Sequence, residues 1–244
     1  MVLRHSDWGE ADRLIWLFTK ESGKLRAIAK GVRKPRSRKA GHLEPFTHVR
    51  LLLAAGRDIP IITQAEAQEV FLALKEDLIR VGYASYVIEL LDRFTYEEGE
   101  NVPLFRLLVE TLNRLDDEAD AAFAVRYYEV RLLDLLGFRP HLLQCVNCGK
   151  EIQPEDQFFS PDLGGLLCPT CGRALTGTQF ISLGAVRMLR HLQRSSYAEA
   201  QRLRLSAAVD REVEQLMQAY FTYLLERGLN TPAFLRHLRA LPKP

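Results

Sequence analysis

Residues 12–41 read DRLIWLFTKESGKLRAIAKGVRKPRSRKAG. In this stretch the apolar segments Leu14–Phe18 and Leu25–Ala29 stand on either side of a turn-forming sequence, Glu21-Ser22-Gly23. Short apolar runs bounded by turn residues are typical of β-strands. Two further runs of this kind follow at Val49–Ala54 and Pro60–Thr63. The first 70 residues therefore predict a sheet of four or five strands.

The hydrophobic pattern changes near residue 70, where apolar residues begin to recur at intervals of three and four. Val125, Tyr128, Leu132 and Leu135 form one such series. This periodicity predicts amphipathic helices. Thr231-Pro232 is typical of a helix start, because threonine caps the first turn and proline fits the first helical position. The predicted fold class is α+β with several domains, in which strands come first and helices follow.

Positive charge is concentrated in the N-terminal fifth of the chain. Residues 20–50 contain ten Lys or Arg and two acids, a local balance of +8, which leaves −6 for the rest of a chain whose net charge is +2. Six of the twelve residues from Lys30 to Gly41 are Lys or Arg. Because this segment lies between two predicted strands, it is predicted to be a long loop or strand extension that is tethered at both ends.

One interpretation of this segment gives it no binding role: it is a solvated loop that charge repulsion keeps flexible. A second interpretation is a nuclear-localisation signal. A nucleic-acid site is favoured because Lys24 and Arg26 lie at spacing two on the preceding strand and so share one face. That face and the loop form a continuous positive surface suited to phosphates. Trp8, Trp16, Phe18 and Phe46 are candidates for base stacking, although Trp16 and Phe18 fit a core equally well. The predicted phosphate contacts are Lys24, Arg26, Lys30, Arg33, Lys34, Arg36, Arg38 and Lys39.

The four cysteines form the pattern C-x2-C-x19-C-x2-C at Cys145, Cys148, Cys168 and Cys171. Each Cys-x-x-Cys pair, called a hook below, supplies two thiolates, so two hooks supply the four thiolates of one tetrahedral metal site. A glycine follows each hook, as is usual for a knuckle turn. A thioredoxin-type redox pair is the alternative, but it uses one hook at a helix start. The intervening FFSPDLGGLLC is typical of a hairpin. We expect one structural zinc in a ribbon inserted between helices, and a closed four-thiolate site leaves no open position for catalysis.

Motifs for catalysis are weak in this sequence. It has no Walker or dinucleotide-type glycine loop, no HExxH and no Gly-x-Ser-x-Gly, and its six histidines do not cluster at metal-ligand spacing. No apolar run approaches the roughly 18 residues of a membrane helix. Residues 1–12 carry charge too early for a signal peptide. The sequence therefore favours a cytosolic binding protein over an enzyme or a membrane protein.

A resemblance to a known family extends over residues 2–240. The segment 5–53, HSDWGEADRLIWLFTKESGKLRAIAKGVRKPRSRKAGHLEPFTHVRLLL, resembles the N-terminal domain of the bacterial DNA repair protein RecO family. The shared elements are GEAD-R-L, T-x-x-x-G-K-L-x-A-x-A-K-G and L-x-P-F. The later LLDLLGFRPHLLQCVNCGK and LGGLLCPTC are similar to the cysteine-bearing members of that family.

The resemblance implies an OB-fold β-barrel at residues 1–70, a helical domain made of 71–140 and 175–244, and a zinc-ribbon insertion at 141–174. It also implies binding to single- and double-stranded DNA and annealing of complementary strands. The implied partners are RecR and the acidic C-terminal tail of the single-stranded-DNA-binding protein, with help in loading the RecA recombinase at gaps. The implied location is the bacterial cytoplasm, in association with the nucleoid.

Three expectations follow for features that the motifs leave open. Family members usually carry a few residues before the position of Met1, so we expect either an incomplete first strand with an exposed edge or a start upstream. The acidic tail needs basic residues among the helices, and the candidates are Arg126, Arg131 and Arg139, or Arg187, Arg190 and Arg194. The alternative function is that of an OB-fold RNA-binding protein with a structural zinc ribbon.

Overall fold

The computed structural model of the chain describes residues 1–95, 99–117, 120–203 and 206–240, so the last four residues of the predicted helical domain lie outside it. These residues divide into two compact units. The first is formed by 1–121 together with the chain from Phe234, and the second by 122–233. The domain bounds predicted from the sequence remain a proposal.

The first unit begins with five strands: β1 (Val2–Trp8), β2 (Asp12–Thr19), β3 (Gly23–Ala29), β4 (His48–Ala54) and β5 (Ile61–Glu69). They form one sheet in the order β1-β2-β3-β5-β4. Neighbours pair antiparallel except β3 and β5, which pair parallel at Ile28 and Ile61. This is the five-stranded Greek-key arrangement of an OB-fold. The predicted fold class is confirmed for this part of the chain.

The barrel closes where the start of β1 meets the approach to β4. The amide of Val2 donates to the carbonyl of Thr47 at 2.9 Å, and the amide of Phe46 donates to the carbonyl of Val2 at 3.0 Å. β1 has seven residues and pairs with β2 from Val2 to Trp8, with a register shift between Val2 and Arg4. The barrel core is apolar and includes Val2, Ile15, Leu17, Ala27, Ala29, Val32, Leu43 and Ile62.

Helices complete the first unit. After the barrel come α1 (Leu72–Glu76), α2 (Leu78–Phe94) and α3 (Val102–Asp117), and α9 (Thr231–Ala240) supplies the segment from Phe234. Phe18 points out of the barrel and stacks on Phe105 of α3, with 6.3 Å between ring centroids. Gly82 of α2 faces Leu235 and Leu238, where an added Cβ would lie 2.7 Å from the Leu235 side chain. These helices therefore pack on the outer face of the barrel and on each other.

The second unit contains α4 (Ala121–Leu136), α6 (Leu183–Arg194), α7 (Tyr197–Ala200) and α8 (Ala207–Leu225). Between α4 and α6 lies the ribbon, formed by β6 (Gln157–Ser160), β7 (Gly165–Leu167), α5 (Pro169–Ala174) and β8 (Gln179–Ile181). β6 and β7 are the predicted hairpin, and β8 adds a third strand beside β6. In the part of the chain that the structure describes, no helix combines the length and apolar character needed to cross a membrane.

Candidate nucleic-acid interface and metal centre

The segment 30–39, called the basic loop below, is held to the barrel by its backbone. The amide of Gly31 donates to Asp12 Oδ1 at 2.7 Å, and the amide of Arg33 donates to the carbonyl of Ala11 at 3.0 Å. Val32 is buried in the barrel core. Internal turns are closed by bonds from Lys34 to Gly31 and from Ser37 to Lys34. The basic loop is therefore an ordered projection next to the β1–β2 hairpin.

Two cations of the predicted set are already bound within the first unit. Lys24 Nζ donates to the carbonyl and to Oδ1 of Asp92, at 2.8 and 3.0 Å. Lys39 Nζ donates to the carbonyl of Ile62 at 2.8 Å. These ammonium groups hold α2 and the start of β5, respectively, which limits what they can offer to a ligand.

Arg33 is exposed, but contacts within the first unit engage its guanidinium. Its Nη2 lies 3.2 Å from Asp7 Oδ2, and its Nη1 donates to the carbonyl of Gly9 at 3.3 Å. Asp7 also lies 3.6 Å from Arg13, which in turn donates to Glu44 at 3.0 Å. This chain of ion pairs fixes the base of the basic loop at the barrel rim.

The remaining cations of the predicted set are exposed. Arg26 lies on the outer face of β3, opposite Trp16 of β2. Among the described residues, no partner in a hydrogen bond or ion pair is found for four exposed side chains of the basic loop: Lys30, Lys34, Arg36 and Arg38. The geometry therefore concentrates the available positive charge at the tip of the basic loop.

Two features near the interface were not assigned by sequence reasoning. Arg4 stacks on Trp16, with its guanidinium carbon 3.7 Å from the ring centroid. The two side chains therefore form a cation–π pair on the outer face of the barrel. Arg57 is exposed in the β4–β5 turn, a loop that binds ligands in many OB-folds. Spacing along β1 is a signal for the first, because Arg4, Ser6 and Trp8 lie at intervals of two and share one face of the strand. The Gly56-Arg57-Asp58 turn is a signal for the second.

The four cysteines converge, as the spacing predicts. Their Sγ atoms all lie within 4.8 Å of one another, and those of Cys148 and Cys168 are 3.9 Å apart. A tetrahedral zinc with bonds of about 2.3 Å requires sulfur atoms about 3.8 Å apart. Asn147 Nδ2 donates to Cys171 Sγ at 3.3 Å, an outer contact that orients the ligand. The residues therefore fit a zinc ion.

The knuckle glycines have definite roles. Gly149 has φ +74°, and its amide donates to the carbonyl of Cys145 at 2.9 Å, so a left-handed residue closes the first turn. The amide of Gly172 closes the second turn on Cys168, and a Cβ at Gly172 would lie 2.3 Å from the ring of Phe158. These two positions require glycine for different reasons, one conformational and one steric.

The thiols differ in how readily they ionise. Burial opposes ionisation of Cys145, but backbone amides near its sulfur outweigh this effect and lower its pKa to about 6. At Cys171 the Asn147 amide favours the thiolate, but the neighbouring thiols outweigh it and raise the pKa to about 11. Four thiolates cannot coexist at this distance without a cation to offset their repulsion.

The arginines proposed for an acidic tail are mostly committed elsewhere. Arg126 is 3% exposed and lies 2.6 Å from the buried carboxylate of Glu129, so it does not reach the surface. Arg131 donates to the carbonyls of Gln193 and Ser195 at the end of α6. Arg190 donates twice to the carbonyl of Leu142, and burial lowers its pKa. The exposed members of the two sets are Arg139, Arg187 and Arg194.

A groove of about 1170 Å³ lies beside the ribbon, within the second unit. Arg139 lies on it, as do the exposed side chains of Leu143 and Leu163. The Arg139 guanidinium is 3.3 Å from Asp134 Oδ1. The groove thus combines an apolar surface with one exposed arginine, which is paired with Asp134, and Glu151 also lines it.

Two models of one protein family match most of the chain. The family model described as recombination protein O N terminal matches residues 1–71, and the model described as recombination protein O C terminal matches residues 75–233. The chain belongs to the RecO family.

Curated relatives support the RecO assignment over nearly the full length. The chain is 42% identical over 241 residues to the DNA repair protein RecO of Roseiflexus sp. (strain RS-1), covering 99% of this chain and 85% of the relative. It is 36% identical over 243 residues to the DNA repair protein RecO of Symbiobacterium thermophilum, covering 98% and 96%. For the DNA repair protein RecO of Dehalococcoides mccartyi (strain 195) the identity is 35% over 227 residues, covering 93% and 89%. The chain is therefore a DNA repair protein of the RecO family.

Proposed function

We propose that this RecO-family chain binds single- and double-stranded DNA through the basic loop, anneals complementary strands and, with RecR, helps load RecA at single-strand gaps. One observation carries the proposal. The side chains of Lys30, Lys34, Arg36 and Arg38 project from a loop that backbone bonds fix to an OB-fold barrel. A rigid cluster of cations binds a polyanion without the entropic cost of ordering a flexible segment.

Annealing follows from electrostatics, and no bond is made or broken. Two single strands repel each other through their phosphates, and cations that neutralise part of each backbone reduce that repulsion. Holding both strands on one protein also raises their local concentration. The basic loop supplies the charge for this mechanism, whereas Lys24 and Lys39 chiefly hold the barrel and its helices in place.

We further propose that Cys145, Cys148, Cys168 and Cys171 hold one structural zinc. Support comes from the separation of the sulfur atoms, which matches tetrahedral thiolate coordination, and from the two glycine knuckles. When bound, the ion neutralises thiolates that otherwise repel each other. The chain's own contribution is to fix the two hooks through the ribbon hairpin.

The groove beside the ribbon is the proposed site for the acidic C-terminal tail of the single-stranded-DNA-binding protein. Such a tail needs a cation for its carboxylates and an apolar surface for its other side chains. Arg139 with Leu143 and Leu163 offers both. Arg187 and Arg194 on α6 are the competing exposed cations.

The test of DNA binding replaces Lys34, Arg36 and Arg38 with Gln and leaves Arg33 and Lys39, which hold the loop, unchanged. Affinity for DNA should fall more than tenfold, and the slope of log affinity against log salt should flatten by about 2 to 3, because fewer counterions are released. Fluorescence anisotropy with labelled oligonucleotides measures both quantities.

The matched control carries the same charge change outside the loop sequence, at three arginines with exposed side chains: Arg211, Arg227 and Arg236. Changing them to Gln should leave the salt slope as it was. Equal affinity and slope in the loop variant and the control would refute the basic loop as the phosphate site. Competition between matched RNA and DNA oligonucleotides separates the DNA proposal from the RNA-binding alternative.

A further inference from the structure

Trp8 is a large apolar side chain in an unusual place. It is the last residue of β1, at the tip of the β1–β2 hairpin, and 48% of it is exposed. Its chain neighbours Asp7, Gly9 and Glu10 are charged or have no side chain. A protein-docking patch needs contiguous apolar surface, which these neighbours do not supply. An exposed indole between charged chain neighbours instead suits a flat, planar ligand.

Trp16, the other tryptophan, already has a stacking partner. Trp16 is half-buried, and the guanidinium of Arg4 stacks on its ring at 3.7 Å. Within the described residues, no aromatic ring or cation stacks on Trp8. The Trp8 ring therefore still has an exposed face to offer to a ligand.

The hairpin tip and the basic loop form one fixed surface. Four contacts join them: Gly31 to Asp12 at 2.7 Å, Arg33 to Ala11 at 3.0 Å, and Arg33 to Gly9 and Asp7 at 3.3 and 3.2 Å. The negative charge of Asp7 is offset by its ion pairs to Arg33 and Arg13. A strand whose phosphates follow the basic loop thus passes beside the indole at a position that the fold sets in advance.

We propose that Trp8 is a stacking platform for one unpaired base, which makes this surface selective for single-stranded DNA. The inference rests on the proposed DNA binding by the basic loop and specifies the form of DNA preferred. In a duplex both faces of each base are already stacked, so the indole gains a partner only on a single strand. One platform anchors a strand and leaves its other bases free to pair, as annealing requires.

The contribution of Trp8 is distinguishable from that of the loop by its salt dependence. Stacking releases no counterions, whereas each phosphate contact does. Trp8→Ala should therefore weaken single-strand binding about tenfold, a typical size for loss of one stacked base, and leave the salt slope unchanged. Duplex affinity should change less than about twofold on the same reasoning.

Fluorescence provides a direct test, because the chain has two tryptophans. In the full-length Trp16→Phe protein, Trp8 is the only tryptophan. Three ligands of equal length are titrated: a single-stranded oligonucleotide, the same backbone with abasic sites in place of the bases, and a duplex. We expect quenching of Trp8 by the single strand, little by the abasic strand and little by the duplex, while anisotropy reports binding of all three.

The outcomes separate the two proposals. If anisotropy detects no binding to any of the three, the proposed DNA binding fails and this inference falls with it. If binding is normal but Trp8 fluorescence is the same with bases and without them, the stacking platform alone is refuted. An unchanged single-strand affinity in Trp8→Ala also refutes it and points to a protein partner at Trp8. Trp8→Phe, which keeps an aromatic face, should recover part of the affinity and controls for misfolding.

Discussion

At the scale of single residues, sequence patterns predicted which charges share a strand face but not the partner of each charge. Alternation placed Lys24 and Arg26 on one face of β3, and the structure confirms that face. The bond from Lys24 to Asp92 joins residues 68 positions apart, and the bond from Lys39 to Ile62 uses a backbone carbonyl. Neither partner has a local sequence signal. The exposed cations are therefore found only once the fold is known, whereas the convergence of the four cysteines was predictable from their spacing alone.

The Glu44 ion pairs give a residue-scale prediction about pH. Burial favours the neutral form of Glu44, but hydrogen bonds from His5 and Arg13 outweigh it and hold the pKa below its ordinary value. A depressed pKa means that the stabilisation is present above the ordinary carboxyl pKa of about 4.3 and is lost as pH falls through the lower folded value. Because Glu44 is partly exposed, Glu44→Gln should cost only about 0.5 to 1 kcal/mol at pH 7. The free energy of unfolding in urea measures this cost.

The pH dependence and a matched acid complete that test. The difference between Glu44→Gln and the parent protein should shrink as pH falls through the lowered folded pKa of Glu44, because the carboxylate is protonated there. Glu66→Gln removes an acid whose nearest cation, Arg50, is 3.9 Å away, and both of these side chains are largely exposed. This control should change stability by less than about 0.5 kcal/mol. A Glu44→Gln cost that is the same at pH 3 and pH 7 would contradict the assigned ion pairs.

At the scale of elements, strands with turn residues between them were predictable, and so was the hairpin of the ribbon. β5 extends to Glu69 although its second half, Gln64–Glu69, is polar and alternating rather than apolar. β8 has three residues, too few for a periodic pattern, so only its pairing with β6 reveals it. The Phe105 ring of α3 covers Phe18 of β2. Local periodicity does not predict such packing, because the two elements are far apart in the sequence.

The ribbon gives the element-scale prediction. Purified protein should contain about one zinc per chain, and Cys168→Ser should lose most of it, because a site with three thiolates binds the ion far more weakly. The hairpin should then lose its order, since β7 leads directly into Cys168. Metal analysis and hydrogen exchange of residues 157–167 measure the two effects. DNA binding should persist, because the barrel has its own core.

The neighbouring substitution Thr170→Ala is the control for the ribbon. Thr170 lies between the two cysteines of the second hook and is exposed, so its loss should leave the metal content unchanged. Cys168→Ser with a full zinc equivalent, or native protein with well under half an equivalent, would contradict the proposed metal site.

At the scale of the whole molecule, charge is divided between a basic barrel and a net-acidic remainder. DNA should occupy the basic loop and leave the helical surfaces to protein partners, because like charges repel the phosphate backbone. A labelled acidic-tail peptide then distinguishes the two arginine sets. If the ribbon groove holds the tail, Arg139→Glu should abolish peptide binding. If α6 holds it, the double substitution Arg187→Glu with Arg194→Glu should do so. The loop variant with Lys34, Arg36 and Arg38 replaced by Gln should bind that peptide normally.

Annealing assays connect the two surfaces. The loop variant should fail on bare complementary strands and on strands coated with the single-stranded-DNA-binding protein, since both reactions need phosphate contacts. The charge-reversal variant that loses the peptide should anneal bare strands at the parent rate and fail only on coated strands, because the tail is what brings the protein to them. If both charge-reversal variants anneal coated strands as well as the parent, neither arginine set receives the tail. If the loop variant loses the peptide, DNA and tail share the barrel, and the division of labour between barrel and helices is wrong.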